Sequence, residues 1–181
     1  MDTTPLGAAY RTLLDAAATV AGDGEPGPVP PSGEWDAAQI LAHVSVLTAT
    51  TLVTASTVAS GANSTYDNRR ALDDWTLGTV IARAGGGPGL RERIRHQGEA
   101  LCHVGAALGE AELTTRIPTL LLSHGTVLVD RPTALGDLLT GLAEVELPGH
   151  TAQLLALLPG AAGPGRAAGL QGVAVDGRTS T

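Results

Sequence analysis

In the stretch EVELPGHTAQLLALL, Glu144 to Leu158, a carboxylate and an imidazole stand four residues apart at Glu146 and His150, with Pro148-Gly149 between them. Counting by threes and fours from Leu135 gives Leu139, Leu142, Glu146, His150, then Gln153 or Leu154, and Leu157. The pair therefore falls on the stripe where core leucines belong. A four-residue helical step rises about 6 Å and turns about 40°, so both side chains can reach one point. Pro148 cannot donate a backbone hydrogen bond to Glu144, and the helix is expected to continue past it with disturbed hydrogen bonding.

A third group with matching chemistry lies far upstream. In WDAAQILAHVSVL the apolar stripe Ile40, Val44, Leu47 takes in His43, a second imidazole expected to turn inward. Two imidazoles and a carboxylate converging from two helices are a ligand set for a divalent metal with open coordination positions. Zinc suits such a set, and so do nickel, iron and manganese. Ligation would also offset the cost of placing these groups in a core, several kcal/mol for an unpaired charge. Two plainer readings stay open: a Glu and a His four apart also make surface pairs, and an inward histidine can simply be hydrogen-bonded.

Supporting groups follow from position. Gln153, three residues after His150, can orient its ring or lie at the edge of the helix. The run Tyr66-Asp67-Asn68-Arg69 supplies polar groups for a substrate, with Arg69 or Arg70 able to pair a carboxylate; it also reads as a solvated turn before a helix. His96 and His103 belong to an exposed helical face, and His124 to a hairpin turn. Cys102, beside core Leu101, reads as a packed thiol. The chain carries no phosphate loop, serine nucleophile elbow or paired-cysteine zinc motif.

The elements that must place these groups are mostly helical. A first helix runs from Pro5 to Ala21 on Leu6, Tyr10, Leu13, Leu14 and Val20, and ends in the loop GDGEPGPVPPSG. The second starts at Trp35-Asp36, with Asp36 and Gln39 spaced as a capping box, and runs towards Gly61. Its second half, TTLVTASTV, is β-branched and would equally suit a strand. A short helix capped by Asp73 or Asp74 follows the turn-like NSTYDNRR, and after GGGPG comes a helix on Leu90, Ile94, Leu101, Val104 and Leu108. IPTLLLSHGTVLVDRP reads as a hairpin with strands at 119–122 and 127–129. The final helix follows Pro132. The expected architecture is an all-α four-helix bundle with a small β-hairpin inserted before the last helix, in one domain, 1–158, followed by a Gly/Ala-rich tail, 159–181.

Composition narrows the partners. Eighteen acidic residues oppose eleven basic ones, all arginine, for a net charge of -7, and no basic run is present. Nucleic acid and anionic membrane surfaces are therefore not expected partners. No segment approaches eighteen uninterrupted apolar residues, so no membrane span is expected. One cysteine excludes an intrachain disulfide, and the amino terminus, acidic first and interrupted by Arg11 and Asp15, does not read as a signal peptide. The expectation is a cytoplasmic protein.

WDAAQILAHVSVL, then the hairpin, then a helix reading ExxxHxxQLLALL, resembles the DinB-like four-helix bundles. More narrowly, the chain is similar to the amino-terminal domain of the mycothiol-dependent maleylpyruvate isomerases of actinobacteria, over residues 5–158. The resemblance implies a metal, usually zinc, held by a His on the second helix and by a Glu and a His four apart on the last, here His43, Glu146 and His150. It also implies mycothiol or a similar low-molecular-weight thiol as cosubstrate, a small electrophilic and acidic substrate, and isomerase or S-transferase chemistry. The isomerases carry a second domain where this chain has the segment 159–181, so maleylpyruvate itself is not the expected substrate. Related bundles form homodimers. Two further functions fit the same ligand set: a hydrolase or lyase acting through a metal-activated water, and a bundle that holds a metal without catalysis.

Overall fold

The computed structural model describes residues 1–22, 30 and 33–158. Most of the loop GDGEPGPVPPSG and all of the 159–181 tail lie outside the described residues. The chain is mostly helical with a small three-stranded sheet: helices α1 (Thr4–Ala21), α2 (Ala37–Ala59), α3 (Asp74–Ala84), α4 (Gly87–Ala107), α5 (Glu110–Thr114), α6 (Leu135–Gly141) and α7 (Leu147–Leu155), and strands β1 (Tyr66–Asp67), β2 (Arg116–Ser123) and β3 (Thr126–Ala134). A 3-10 turn covers Arg69–Leu72, and one π-helical turn, Leu142–Glu146, joins α6 to α7.

Local chemistry sets the helix starts. Asp36 accepts from the Gln39 backbone at 2.8 Å while the Gln39 side chain accepts from the Asp36 backbone at 3.0 Å, the reciprocal box expected from their spacing. Asp73 caps α3 by accepting from Thr76 N at 2.8 Å. Pro88 lies in the first turn of α4, which therefore begins within GGGPG rather than after it.

The β-branched half of α2 is helical to Ala59, contrary to the strand alternative. Two effects outweigh its propensity. Thr50, Thr51 and Thr57 return their hydroxyls to the carbonyls of Val46, Leu47 and Val53, and Ala55 and Val58 are buried against the rest of the fold. By length and composition this helix could cross a membrane, with a mean hydropathy of 1.4 in its most apolar window, and 61% of that window is buried inside the fold. A count of uninterrupted apolar residues misses it because His43, Ser45 and the threonines break the run. Ser45 and the buried threonines are satisfied internally: Ser45 donates to Gln97 Oε1 at 3.0 Å, and Thr48 accepts from Tyr10 Oη at 2.9 Å.

α2 packs chiefly on α4, α4 also on α1, α1 on α7, and α7 back on α2. Leu13, Ile40, Leu90, Leu101, Leu139 and Leu154 fill the space between them, all fully buried. α1 and α4 approach closely because residue 98 is glycine; a Cβ there would come within 2.8 Å of the Tyr10 ring.

The hairpin is longer than its apolar runs, because Arg116 to Pro118 pair with Pro132 to Ala134. Pro118 and Pro132 oppose each other, so their two missing donors fall on one rung. The turn places His124 at φ 48° and Gly125 at φ 75°, the pair of positive values that a tight two-residue hairpin turn requires. β1 is the unexpected element. It pairs in parallel with β2, Tyr66 with Thr119, in a segment expected to be only a turn.

Candidate metal centre

His43, Glu146 and His150 come together where α2 meets α7, with one potential ligand atom from each lying within 4.8 Å of the others. His150 Nε2 and Glu146 Oε2 are 3.6 Å apart. The His43 and His150 rings meet edge to face, 4.6 Å between centroids. The cluster is graded in depth: His43 is 4% exposed, the His150 side chain 15% and the Glu146 side chain 39%.

That gradient corrects the expectation that Glu146 and His150 replace core leucines. The buried positions run Leu135, Leu138, Leu139, Leu142 and Ala143, then Leu147, Thr151 and Leu154, so the core face passes from Leu142 and Ala143 to Leu147 across the π turn and leaves out residue 146. Leu147 N accordingly donates to Leu142 O, five residues back. Leu147 takes the core position assigned by counting to Glu146, and the two candidate ligands, Glu146 and His150, are only partly buried. Pro148 follows immediately; the backbone is helical through Glu146 and Leu147, so the proline sits just after the widened turn, where the regular hydrogen-bond ladder is already disturbed.

Both imidazoles are oriented by partners that determine their tautomers. His43 Nδ1 donates to the Ala71 carbonyl at 2.7 Å, and His150 Nδ1 donates to Gln153 Oε1 at 3.1 Å. Each neutral ring thus keeps the lone pair on Nε2. His43 is held neutral: burial, helped by the neighbouring His150, pushes its pKa down to about 4, against the opposing pull of the Ala71 hydrogen bond and Glu146. With both ring nitrogens of His150 protonated, its hydrogen bond keeps the Glu146 carboxyl below the usual carboxylate range, although partial burial works the other way.

The donor set fits a cation on chemical grounds. Two lone pairs and a carboxylate converge, and among the described residues His43 Nε2 makes no hydrogen bond. A divalent ion at this point would answer all three groups at once.

The supporting residues divide. Gln153 touches the site through His150. Tyr66 turns inward: it is 5% exposed, its hydroxyl lies 3.1 Å from Thr51 Oγ1, and burial raises its pKa to about 12, with a smaller contribution from the Glu146 charge. Asn68 serves the sheet instead of a substrate. Its Nδ2 donates to Leu122 O at 2.8 Å and its Oδ1 accepts from Leu122 N at 2.9 Å, which extends the pairing of β1 past its last residue. Asp67 and Arg69 face solvent and pair with each other, with Arg69 Nε 2.9 Å from Asp67 Oδ2. Arg70, exposed and without an ion pair among the described residues, is the guanidinium left open beside Ala71.

Two contributors carried no signal in residue spacing. Trp35 packs on His43 with centroids 4.9 Å apart, and the Ala71 carbonyl reaches His43 only because the 3-10 turn folds back onto α2. The other candidate side chains lie elsewhere: His96 is exposed beside Glu92 and Arg95, and His103 is exposed with Nδ1 donating to the Glu99 carbonyl. Burial raises the pKa of the half-buried Cys102 thiol, partly opposed by Arg11. Comparison of the chain with family models, with curated proteins and with solved structures yields no match.

Proposed function

We propose that the chain is a metal-dependent enzyme of the DinB-like four-helix bundle kind, which uses a low-molecular-weight thiol such as mycothiol for isomerisation or S-transfer on a small, acidic electrophile. The circuit of contacts through α2, α4, α1 and α7 supports the bundle. The observation that carries the chemistry is the convergence of His43, Glu146 and His150 with the two Nδ1 atoms already committed to other partners.

In this reading the ligands are His43 Nε2, His150 Nε2 and the Glu146 carboxylate. A divalent cation held there, zinc in the first instance with nickel or iron as alternatives, supplies the positive charge that favours a thiolate at neutral pH. The residues themselves do the rest. Ala71 and Gln153 hold the two rings in the tautomer that presents Nε2, and the Trp35 ring packs against His43. Glu146, at the half-exposed rim, marks the side from which thiol and substrate enter. Arg70 is the group available for a substrate carboxylate, since Arg69 is engaged by Asp67.

Metal analysis of untagged protein tests the first half of this reading, with about one ion per chain expected. Content below about a tenth of an equivalent, with no uptake on adding zinc, nickel or iron, ends it. For the second half, turnover of small acidic electrophiles is measured with and without mycothiol. Activity that persists after every small thiol has been removed rejects the thiol mechanism in favour of hydrolase or lyase chemistry.

A further inference from the structure

Away from the metal centre, a cavity of about 430 Å³ opens between α1 and α4. Its volume is within the range of small-molecule sites, roughly 300 to 1,000 Å³. Gly7 and Gly98 line it, and Tyr10, Leu14 and Cys102 give it an apolar wall. Arg11 is the one lining cation that forms no ion pair among the described residues, because Arg95, also at the rim, is held by Glu92 and Glu99. Arg11 and Cys102 converge over Gly7: a Cβ at residue 7 would lie 3.5 Å from Arg11 Nη1 and 3.8 Å from Cys102 Sγ. None of the lining residues belongs to the His43, Glu146 and His150 cluster.

We propose that this cavity binds a small monocarboxylate with a short apolar body, its carboxylate on Arg11 and its body along Tyr10 and Leu14, beside Cys102. One open guanidinium matches one carboxylate in a two-pronged contact. Glu99 on the same rim works against a more highly charged anion such as a phosphate dianion. The apolar wall selects an organic acid over an inorganic ion.

Cys102, the chain's only cysteine, reports on occupancy. In alkylation by iodoacetate its thiolate displaces iodide: an S–C bond forms, the C–I bond breaks, and the thiol proton goes to water. Iodoacetamide reacts in the same way without the charge. Rates for both reagents are read by mass spectrometry on wild type and Arg11→Gln. The variant is expected to lower the iodoacetate to iodoacetamide rate ratio by about fivefold, the scale of one partly exposed charge contact. Millimolar hexanoate is expected to slow iodoacetamide labelling of the wild type, while hexylamine at the same concentration does not. A ratio unchanged by Arg11→Gln overturns the proposal, and so does labelling of the wild type that hexanoate leaves untouched.

Discussion

Replacing His43 with leucine changes how the stability of the metal-free protein depends on pH, and the structure sets the size of the change. His43 is 4% exposed, and burial lowers its pKa from the ordinary 6.5 to about 4. As the pH falls, the unfolded chain takes up a proton at this residue first, below about 6.5, and the folded chain only below about 4. The stability tied to neutral His43 is therefore complete above 6.5, declines between 6.5 and about 4, and does not change further below that. The full difference is about 3 kcal/mol, of which about 2.5 kcal/mol is lost between pH 7.5 and pH 4.5. Leucine removes the titration and leaves the Ala71 carbonyl without its donor, so the variant is the less stable at pH 7.5 by about 1 to 3 kcal/mol. Urea denaturation of the metal-stripped wild type and His43→Leu, at several pH values over this interval, measures the gap directly. The gap should shrink by about 2.5 kcal/mol from pH 7.5 to pH 4.5 and can change sign. Glu146, whose carboxyl is held low in the folded state, titrates in both proteins and adds a loss only below its ordinary 4.5. A gap that stays constant over the interval would refute the burial of a neutral His43, and with it the tautomer on which the ligand set depends.

Three further outcomes follow from named contacts. Gln153→Ala frees the His150 ring without touching a ligand, so zinc affinity measured by chelator competition should fall about 10- to 100-fold with the fold intact; unchanged affinity removes Gln153 from the site. Asn68→Ala strips both hydrogen bonds from the Leu122 backbone, and a loss of about 2 kcal/mol in chemical denaturation is expected with metal stoichiometry unchanged. Loss of metal uptake with unaltered stability would return Asn68 to the site. Gly98→Ala drives a methyl to 2.8 Å from the Tyr10 ring, and overpacking there should cost about 1 to 3 kcal/mol, seen as a lowered melting temperature.

Much of the helical frame was legible in the residues. The box at Asp36 and Gln39, the Asp73 cap and the apolar period of α1 and α4 all act within a turn or two of chain, the range over which sequence pattern has a direct physical meaning. What escaped depends on partners distant in sequence. Two residues of β1 are too few to show an alternation, and Asn68 is an ordinary turn residue until Leu122 lies opposite it. Trp35 has no spacing relation to His43 beyond standing at the mouth of the same helix. The strand-like half of α2 failed in the opposite way, its intrinsic preference being overridden by packing and by hydroxyls returned to the backbone.

The π turn ties these two classes together. A helix read in strict steps of three and four puts Glu146 in the core, where an unpaired carboxylate costs several kcal/mol and no substrate could reach it. Across the widened turn Leu142–Glu146 the core face passes from Leu142 and Ala143 to Leu147, and the carboxylate lies at the rim, 3.6 Å from His150 and 39% exposed. The apolar burial is kept, because Leu147, Thr151 and Leu154 continue it. Pro148 suits this arrangement better than a regular helix interior, where proline costs about 3 kcal/mol: the π turn has already disturbed the hydrogen-bond ladder just before it. The residue that looks like a helix breaker between two candidate ligands therefore lies just after the widened turn, with Glu146 placed beside His150 and open to solvent.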